Sequence, residues 1–152
     1  MDPVEQNLVD KSGWADGPWK AEPDRIEWRH LGVPCLIVRG PMNALCGYVG
    51  TPPGHPWHGV YYGEVQANVH GGLTFSGPCD ESGHICHVAR AGEPDEVWWQ
   101  GFDCAHGFDY LPIAESWFGL GEFDALRPCY RDVAYVREQV ERLAQQAAEA
   151  GK

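Results

Sequence analysis

The C-terminal stretch YRDVAYVREQVERLAQQAAEA places Val133, Val136, Val140, Leu143 and Ala147 at steps of 3, 4, 3 and 4. That spacing draws one apolar stripe along an α-helix. Pro128 before it and Gly151 after it are start and stop signals, so the pattern predicts a helix over residues 129–150. An amphipathic helix must bury its stripe, and the rest of the chain has to offer an apolar face for it. At about 20 residues the helix is longer than a small sheet needs. It packs on its own sheet or, alternatively, also pairs with a second subunit and forms a homo-oligomer.

The body reads as strands. RIEWRH (25–30) and CLIVR (35–39), joined by LGVP, are two β-runs around a Gly/Pro turn, and LCGYVG (45–50) is a third. TPPGHPWHGVYYG (51–63) holds three Pro and three Gly, too many for a regular element, and predicts an ordered loop. Val65, Ala67 and Val69 then alternate with Glu64, Gln66, Asn68 and His70, the period of a half-buried strand. Gly71-Gly72 supplies a turn, and LTFS (73–76) is expected to return as the partner strand. HICHV (84–88) and VWWQGF (97–102) are further strands, and short helices are expected around 113–118. Residues 1–24, broken by Gly13, Gly17, Pro18 and Pro23, predict an irregular or short-helical arm that lays Trp14 and Trp19 on the body. The expected fold is one α+β domain over 1–152. Its parts are the arm (1–24), a β-rich body (25–128) of mainly antiparallel sheet with Gly/Pro-rich loops, and the long C-terminal helix (129–150).

Composition narrows the function classes. A chain of 152 residues suits a single core, and its seven Trp, six Tyr and five Phe are unlike a disordered composition. No run approaches the roughly 20 apolar residues of a membrane span. MDPVEQNLVDK lacks the basic start and apolar run of a secretory signal, so a cytoplasmic protein is expected, with its six Cys as thiols or thiolates. The formal charge of −11 is uneven: residues 129–152 carry four basic and four acidic side chains, so the excess belongs to 1–128. Between Arg39 and Arg127 the only basic residue is Arg90. A duplex-binding surface neutralises phosphates with Lys and Arg, so no direct nucleic-acid partner is expected.

The residues able to do chemistry concentrate in one window. His55, His58, His70, His84, His87 and His106 lie between 55 and 106, with Cys46, Cys79, Cys86 and Cys104 in or just before it. In GHPWHG (54–59), Pro52, Pro53 and Pro56 stiffen the loop that presents His55 and His58. Trp57 between them is either a stacking wall for a ligand or a lid packed on the protein itself. In VHGGLTFS (69–76), Gly71 and Gly72 free backbone amides, beside Thr74, to face an oxyanion or phosphate oxygen. In GFDCAH (101–106), Asp103 can orient the His106 imidazole for proton transfer or complete a metal shell. CDESGHICH (79–87) gives Cys-x4-His-x-Cys-His, a dense ligand run without a standard zinc spacing. Cys46 or Cys104 as a nucleophile would need a neighbouring His to lower its pKa. No nucleophile elbow, P-loop or dinucleotide fingerprint is present.

GYVGTPPGHPWHG (47–59), VHGGLTFSG (69–77), ICHVARAGEPDEVWWQGFDCAHGFD (85–109) and YRDVAYVREQVERLAQQ (130–146) span about two-thirds of the chain. Together they resemble a family of small proteins encoded by bacteriophages and prophages, with HGGLT and GFDCAH the most specific strings. The family pattern has Phe where Gln100 stands and a second Gly-Asp after DCAH, where this chain has Gly107, Phe108 and Asp109. The resemblance implies a phage accessory role, such as anti-defence, in the host cytoplasm. It implies no mechanism.

Two functions fit these residues. The first is a hydrolase acting on a small phosphorylated or nucleotide-like molecule. In it His70, Asp103 and His106 are catalytic, and His55, Trp57, His58, Gly71, Gly72 and Thr74 bind the ligand. A divalent metal such as zinc, held by His55, His70, Asp103 and His106, would compensate for the missing Lys and Arg. The second is a non-catalytic oligomeric binding protein that sequesters a host immune-signalling nucleotide or masks a host defence protein. Both require His55, His70, Asp103 and His106 to meet around one hollow.

Overall fold

The computed structural model describes residues 3–40, 43–80, 82–86, 96–106, 109–112 and 129–152. Six strands, β1 (Val4–Gln6), β2 (Arg25–His30), β3 (Val33–Arg39), β4 (Leu45–Thr51), β5 (Phe75–Pro78) and β6 (Trp98–Asp103), form one sheet in the order β1-β2-β3-β4-β6-β5. Every neighbouring pair is antiparallel. Among the described residues one α-helix, α1 (Val133–Ala150), follows, so the α+β reading holds. The β2–β3 hairpin turns at Leu31 and Gly32, both at positive φ (54° and 76°), the backbone that matches strand twist in two-residue hairpins.

Strand alternation sorts the side chains. Ile26, Trp28, Cys35, Ile37, Leu45, Val49 and Phe102 share one face and meet Val136, Val140, Leu143, Ala144 and Ala147 of α1. Gly47 sits where the helix comes closest: a Cβ there would lie 2.5 Å from both the Phe102 ring and Val140 Cγ2. The stripe therefore packs on the chain's own sheet, the first of the two readings. The outward side of α1 carries the Arg142–Glu138 ion pair at 2.7 Å.

The arm is tied down by buried charge. Asp24, fully buried, accepts the amides of Leu8 and Val9 at 2.8 Å each and pairs with Lys11 (2.8 Å) and Arg39 (3.2 Å). Burial would raise its pKa, but those donors outweigh burial and hold the carboxyl below its ordinary value. Glu22 reaches the start of α1 and accepts the Val133 amide at 2.7 Å, beside the Asp132 side chain, which caps the helix from Tyr135 N–H at 2.9 Å. Trp19 stacks on Tyr110 at 5.3 Å and meets Tyr130 edge-on at 5.0 Å, as an arm delivering its tryptophan should. The arm also holds β1, which its polar sequence did not announce.

Three expectations are corrected. The alternating segment 64–70 is not a strand, although Val65, Ala67 and Val69 do pack on the core. At Asn68 and His70 its backbone bonds to α1 side chains instead: Gln146 Oε1 accepts Asn68 N–H (2.8 Å), Gln146 Nε2 donates to Asn68 O (2.8 Å), and Gln139 Oε1 accepts His70 N–H (3.1 Å). β5 accordingly pairs with β6 and not with this segment. Next, the strand expected at 84–88 is a turn as far as Cys86, and 87–88 lie outside the described residues, as do the short helices expected at 113–118. Finally, Cys79 and Cys86 are not thiols but a disulfide, whereas Cys35, Cys46, Cys104 and Cys129 are free. The reason is local: the antiparallel Asp80–Ile85 bridge, with N···O distances of 2.8 and 2.9 Å, sets Cys79 opposite Cys86 with Cα atoms 4.7 Å apart.

This hairpin lies on the sheet face away from α1. There Leu36, Val38, Cys46, Tyr48 and Trp99 pack with Ile85 and Val97. Arg25, paired with buried Glu27 at 3.1 Å, donates to the carbonyls of His84 and Cys86. Among the described residues no helix is long and apolar enough to cross a membrane.

Gly47→Ala is expected to lower unfolding free energy by about 1–3 kcal/mol, because an overpacked core must shift backbone or rotamers; urea denaturation measures it. Denatured without reductant, the protein should titrate four thiols, matching Cys35, Cys46, Cys104 and Cys129; six would show the Cys79–Cys86 bond absent.

Candidate functional site

Of the residues expected to meet, the structure gathers His70, Asp103 and His106, together with Gly71 and Thr74, and leaves His55, Trp57 and His58 elsewhere. Asp103 closes β6, and His106 follows it in the turn toward Asp109, whose amide donates to His106 O at 3.0 Å. His70 lies at the end of the segment laid along α1. Its ring centroid is 6.2 Å from that of His106.

His70 is fully engaged. Its Nε2 lies 2.9 and 3.0 Å from the two Asp109 oxygens, and its Nδ1 lies 2.8 Å from the Tyr135 hydroxyl. A carboxylate only accepts, so Nε2–H donates to Asp109, and in the neutral ring Nδ1 accepts from Tyr135. Asp109 is buried and also accepts from Arg131 Nε (2.9 Å) and the His106 amide (3.0 Å). Burial pushes its pKa up, but the hydrogen bonds from Arg131, His70 and His106 hold it below the ordinary carboxyl value. This cluster binds the HGG turn to the first turns of α1. Asp109, Arg131, Tyr135 and Gln139 were not singled out as partners of His70 in the sequence. The one available signal was the i, i+4 spacing of Tyr135 and Gln139, which puts them on one helix face.

Asp103 and His106 form a second pair. Asp103 Oδ1 accepts the Ala105 amide at 3.0 Å, and Oδ2 accepts the Thr74 hydroxyl at 3.0 Å. His106 Nε2 stands 3.2 Å from Asp103 Oδ1, but off the line of a hydrogen bond. Gly71, at φ +68°, lets the His106 ring lie against the backbone; a Cβ there would come within 2.3 Å of the ring. That contact requires glycine at position 71. Gly72 donates its amide to Val69 O at 2.9 Å, closing the turn.

His55 belongs to the other end of α1. Its Nδ1 accepts the Trp57 amide (2.9 Å), so Nε2–H donates to Ala147 O (2.7 Å), near the helix C-terminus. Ala147 is 12 positions beyond Tyr135, about 18 Å along the helix at 1.5 Å per residue. Trp57 is buried in the core, the lid of the two readings considered for it. His58 donates Nδ1–H to Thr51 O at 2.9 Å. Gln100 is buried and donates to Trp57 O (3.3 Å) and Val60 O (2.8 Å), holding this Pro-rich loop to the sheet.

The donor set does not fit a metal. Among the described residues no three His, Cys, Asp or Glu converge as a shell. His55 is remote, both His70 nitrogens are committed, and Cys79 and Cys86 are bonded to each other. The thiols are equally unsuited to attack: burial pushes Cys46 up to about 11 and raises Cys104 as well.

A cleft of about 450 Å³ lies on the sheet face away from α1, lined by Cys46, Tyr48, Thr74, Phe75, Asp103 and His106 among others. Tyr48 and Phe75 meet edge to face at 5.4 Å and 90°. No protein-family model, curated protein or solved structure matches this chain.

The Asp109 carboxyl predicts an acid-sensitive fold with a defined sign. Its folded-state pKa lies below the unfolded one, so the unfolded chain takes up the proton first as pH falls. The stability it contributes is complete above the unfolded value, about 3.9, and is lost as pH drops through the folded value. Asp109→Asn should be less stable than wild type at pH 7 and should lose less between about pH 6 and pH 3. Urea midpoints across that range are the check.

Proposed function

We propose that this protein binds a small molecule in the cleft on the sheet face away from α1, with Asp103 and His106 as its polar contacts. The cleft carries the proposal: about 450 Å³ lies within the ordinary range of ligand sites, roughly 300–1,000 Å³. It joins an apolar wall to one polar corner, the usual division between affinity and orientation. The likeness of HGGLT and GFDCAH to phage proteins supports an accessory role in the host cytoplasm. A phosphorylated ligand draws no support from the lining, because no Lys or Arg stands among its described residues and the Gly72 amide is already bonded. Nor does a metal-assisted reaction, since the described donors do not converge.

One observation favours a catalytic variant of this reading. An imidazole beside a carboxylate at the edge of a cleft is a proton-transfer unit. In a hydrolysis His106 would take the proton of the attacking water, Asp103 would stabilise the imidazolium, and His106 would return that proton to the alcohol or amine that leaves as the acyl bond breaks, with water as nucleophile given the raised thiols. His70 is a positioning residue in either case, because it reaches the cleft only through the Asp109–His106 turn.

A fragment screen by amide NMR on the full chain tests the proposal. Hits are expected to shift Thr74, Phe75, Asp103 and Ala105, to persist in EDTA, and to weaken at least tenfold in His106→Ala. Hits confined to other surfaces, or binding abolished by EDTA, would overturn it. For the catalytic variant, hits bearing ester or amide bonds should be cleaved by wild type and left intact by His106→Ala.

A further inference from the structure

We infer that the ligand of this cleft is an organic ammonium ion carried on an apolar stem; the inference rests on the cleft being the binding site. Three observations converge. The first is the state of Asp103. Each carboxylate oxygen has one fixed donor, Ala105 N–H on Oδ1 and the Thr74 hydroxyl on Oδ2, both at 3.0 Å. A carboxylate has about four lone-pair sites, so acceptor capacity is left over. His106 Nε2, 3.2 Å away but misaligned, does not fill it. The carboxylate is thus held rigidly by two donors while about a third of its side chain stays open to the cleft (32%). A group with several N–H donors suits the remaining sites.

The second is charge. Asp103 is the only Asp or Glu among the described lining residues, and no Lys or Arg stands beside it. Two arginines on segments that contact the lining are paired elsewhere. Arg39, next to the lining residue Gly40, donates to Asp24 at 3.2 Å and to the Tyr130 hydroxyl at 2.7 Å. Arg131 is held by Asp109 at 2.9 Å. The cleft therefore presents a net negative corner within a chain of formal charge −11. Anions are repelled and cations concentrated.

The third is the wall. Tyr48 and Phe75, perpendicular at 5.4 Å, present aromatic surface in the same cleft as the carboxylate. Aromatic faces attract ammonium groups and also cover an apolar stem. A carboxylate opposite two rings, with no competing fixed cation, is the arrangement that recognises an amine over an alcohol of the same shape.

Three shape-matched probes test this on the full-length protein: 2-phenylethylamine, 2-phenylethanol and 3-phenylpropionate, each titrated at pH 7 and followed by the amides of Thr74, Phe75, Asp103 and Ala105. The amine should bind at least tenfold more tightly than the alcohol, and the carboxylate least of all. Asp103→Asn should bring amine and alcohol to equal affinity, and Phe75→Leu should weaken the amine more than the alcohol. If the alcohol or the carboxylate binds the wild-type cleft as tightly as the amine, the ammonium assignment is overturned while the cleft stands as the site. If none of the three shifts these amides at millimolar concentration, the cleft itself is overturned and this inference with it. The comparison of probes on wild type decides the matter even where a variant folds poorly.

Discussion

One helix cannot cover both faces of a sheet, and that limit shapes this molecule. α1 lies on β3 and β4, brought close by the missing side chain at Gly47, and it buries its apolar stripe from Val136 to Ala147. The flank of the same face over β6 is closed by the Pro-rich loop with Trp57 and by the extended segment 64–70. The opposite face has no helix among the described residues. There the Cys79–Cys86 hairpin covers part of the sheet, anchored by Arg25, and the cleft beside Tyr48 and Asp103 is left open. Among the described residues the cleft thus stays open because their one α-helix lies on the other face.

Buried carboxylates do the joining that apolar packing leaves undone. Asp24 collects the arm, Arg39 and Lys11 into one ionic knot. Asp109 does the same for the HGG turn, Arg131 and the turn carrying His106. Each sits where an unpaired charge would be strongly unfavourable, so each enforces the geometry of its donors. Asp109 matters most for the site, because it sets both His70 and the backbone of His106. The rigidity of the cleft's polar corner therefore originates one layer behind the residues that line it.

The legible parts of the sequence were those decided by local periodicity. The stripe of α1, the runs 25–30, 35–39 and 45–50, and the apolar strand ending at Asp103 all follow from spacing and β-propensity, with ends within a few residues. The segment 64–70 shows where that reasoning stops. Its alternation reports that one side is buried, which is true, but two faces of burial are equally available to a strand and to an extended chain lying along a helix. Which one forms depended on Gln139 and Gln146, some seventy residues away, offering side-chain amides to its backbone. The site was half legible for the same reason. Asp103 and His106 are three apart on one turn, and Gly71 and Thr74 arrive with β5, whereas His55 looked identical to His70 in sequence and serves only to tether a loop to the end of α1.

By itself the sequence determined an antiparallel sheet with a long terminal helix, an acidic body, and a set of candidate polar side chains. These are properties of composition and period, which act within a few residues of each position. Only the tertiary structure decided which histidines are spent on hydrogen bonds, that His106 borders the cleft beside Asp103, that two of six cysteines close on each other, and that among the described residues no three donors assemble as a metal shell. Those outcomes depend on partners distant along the chain, and a side chain's chemistry is settled by the groups that surround it after folding.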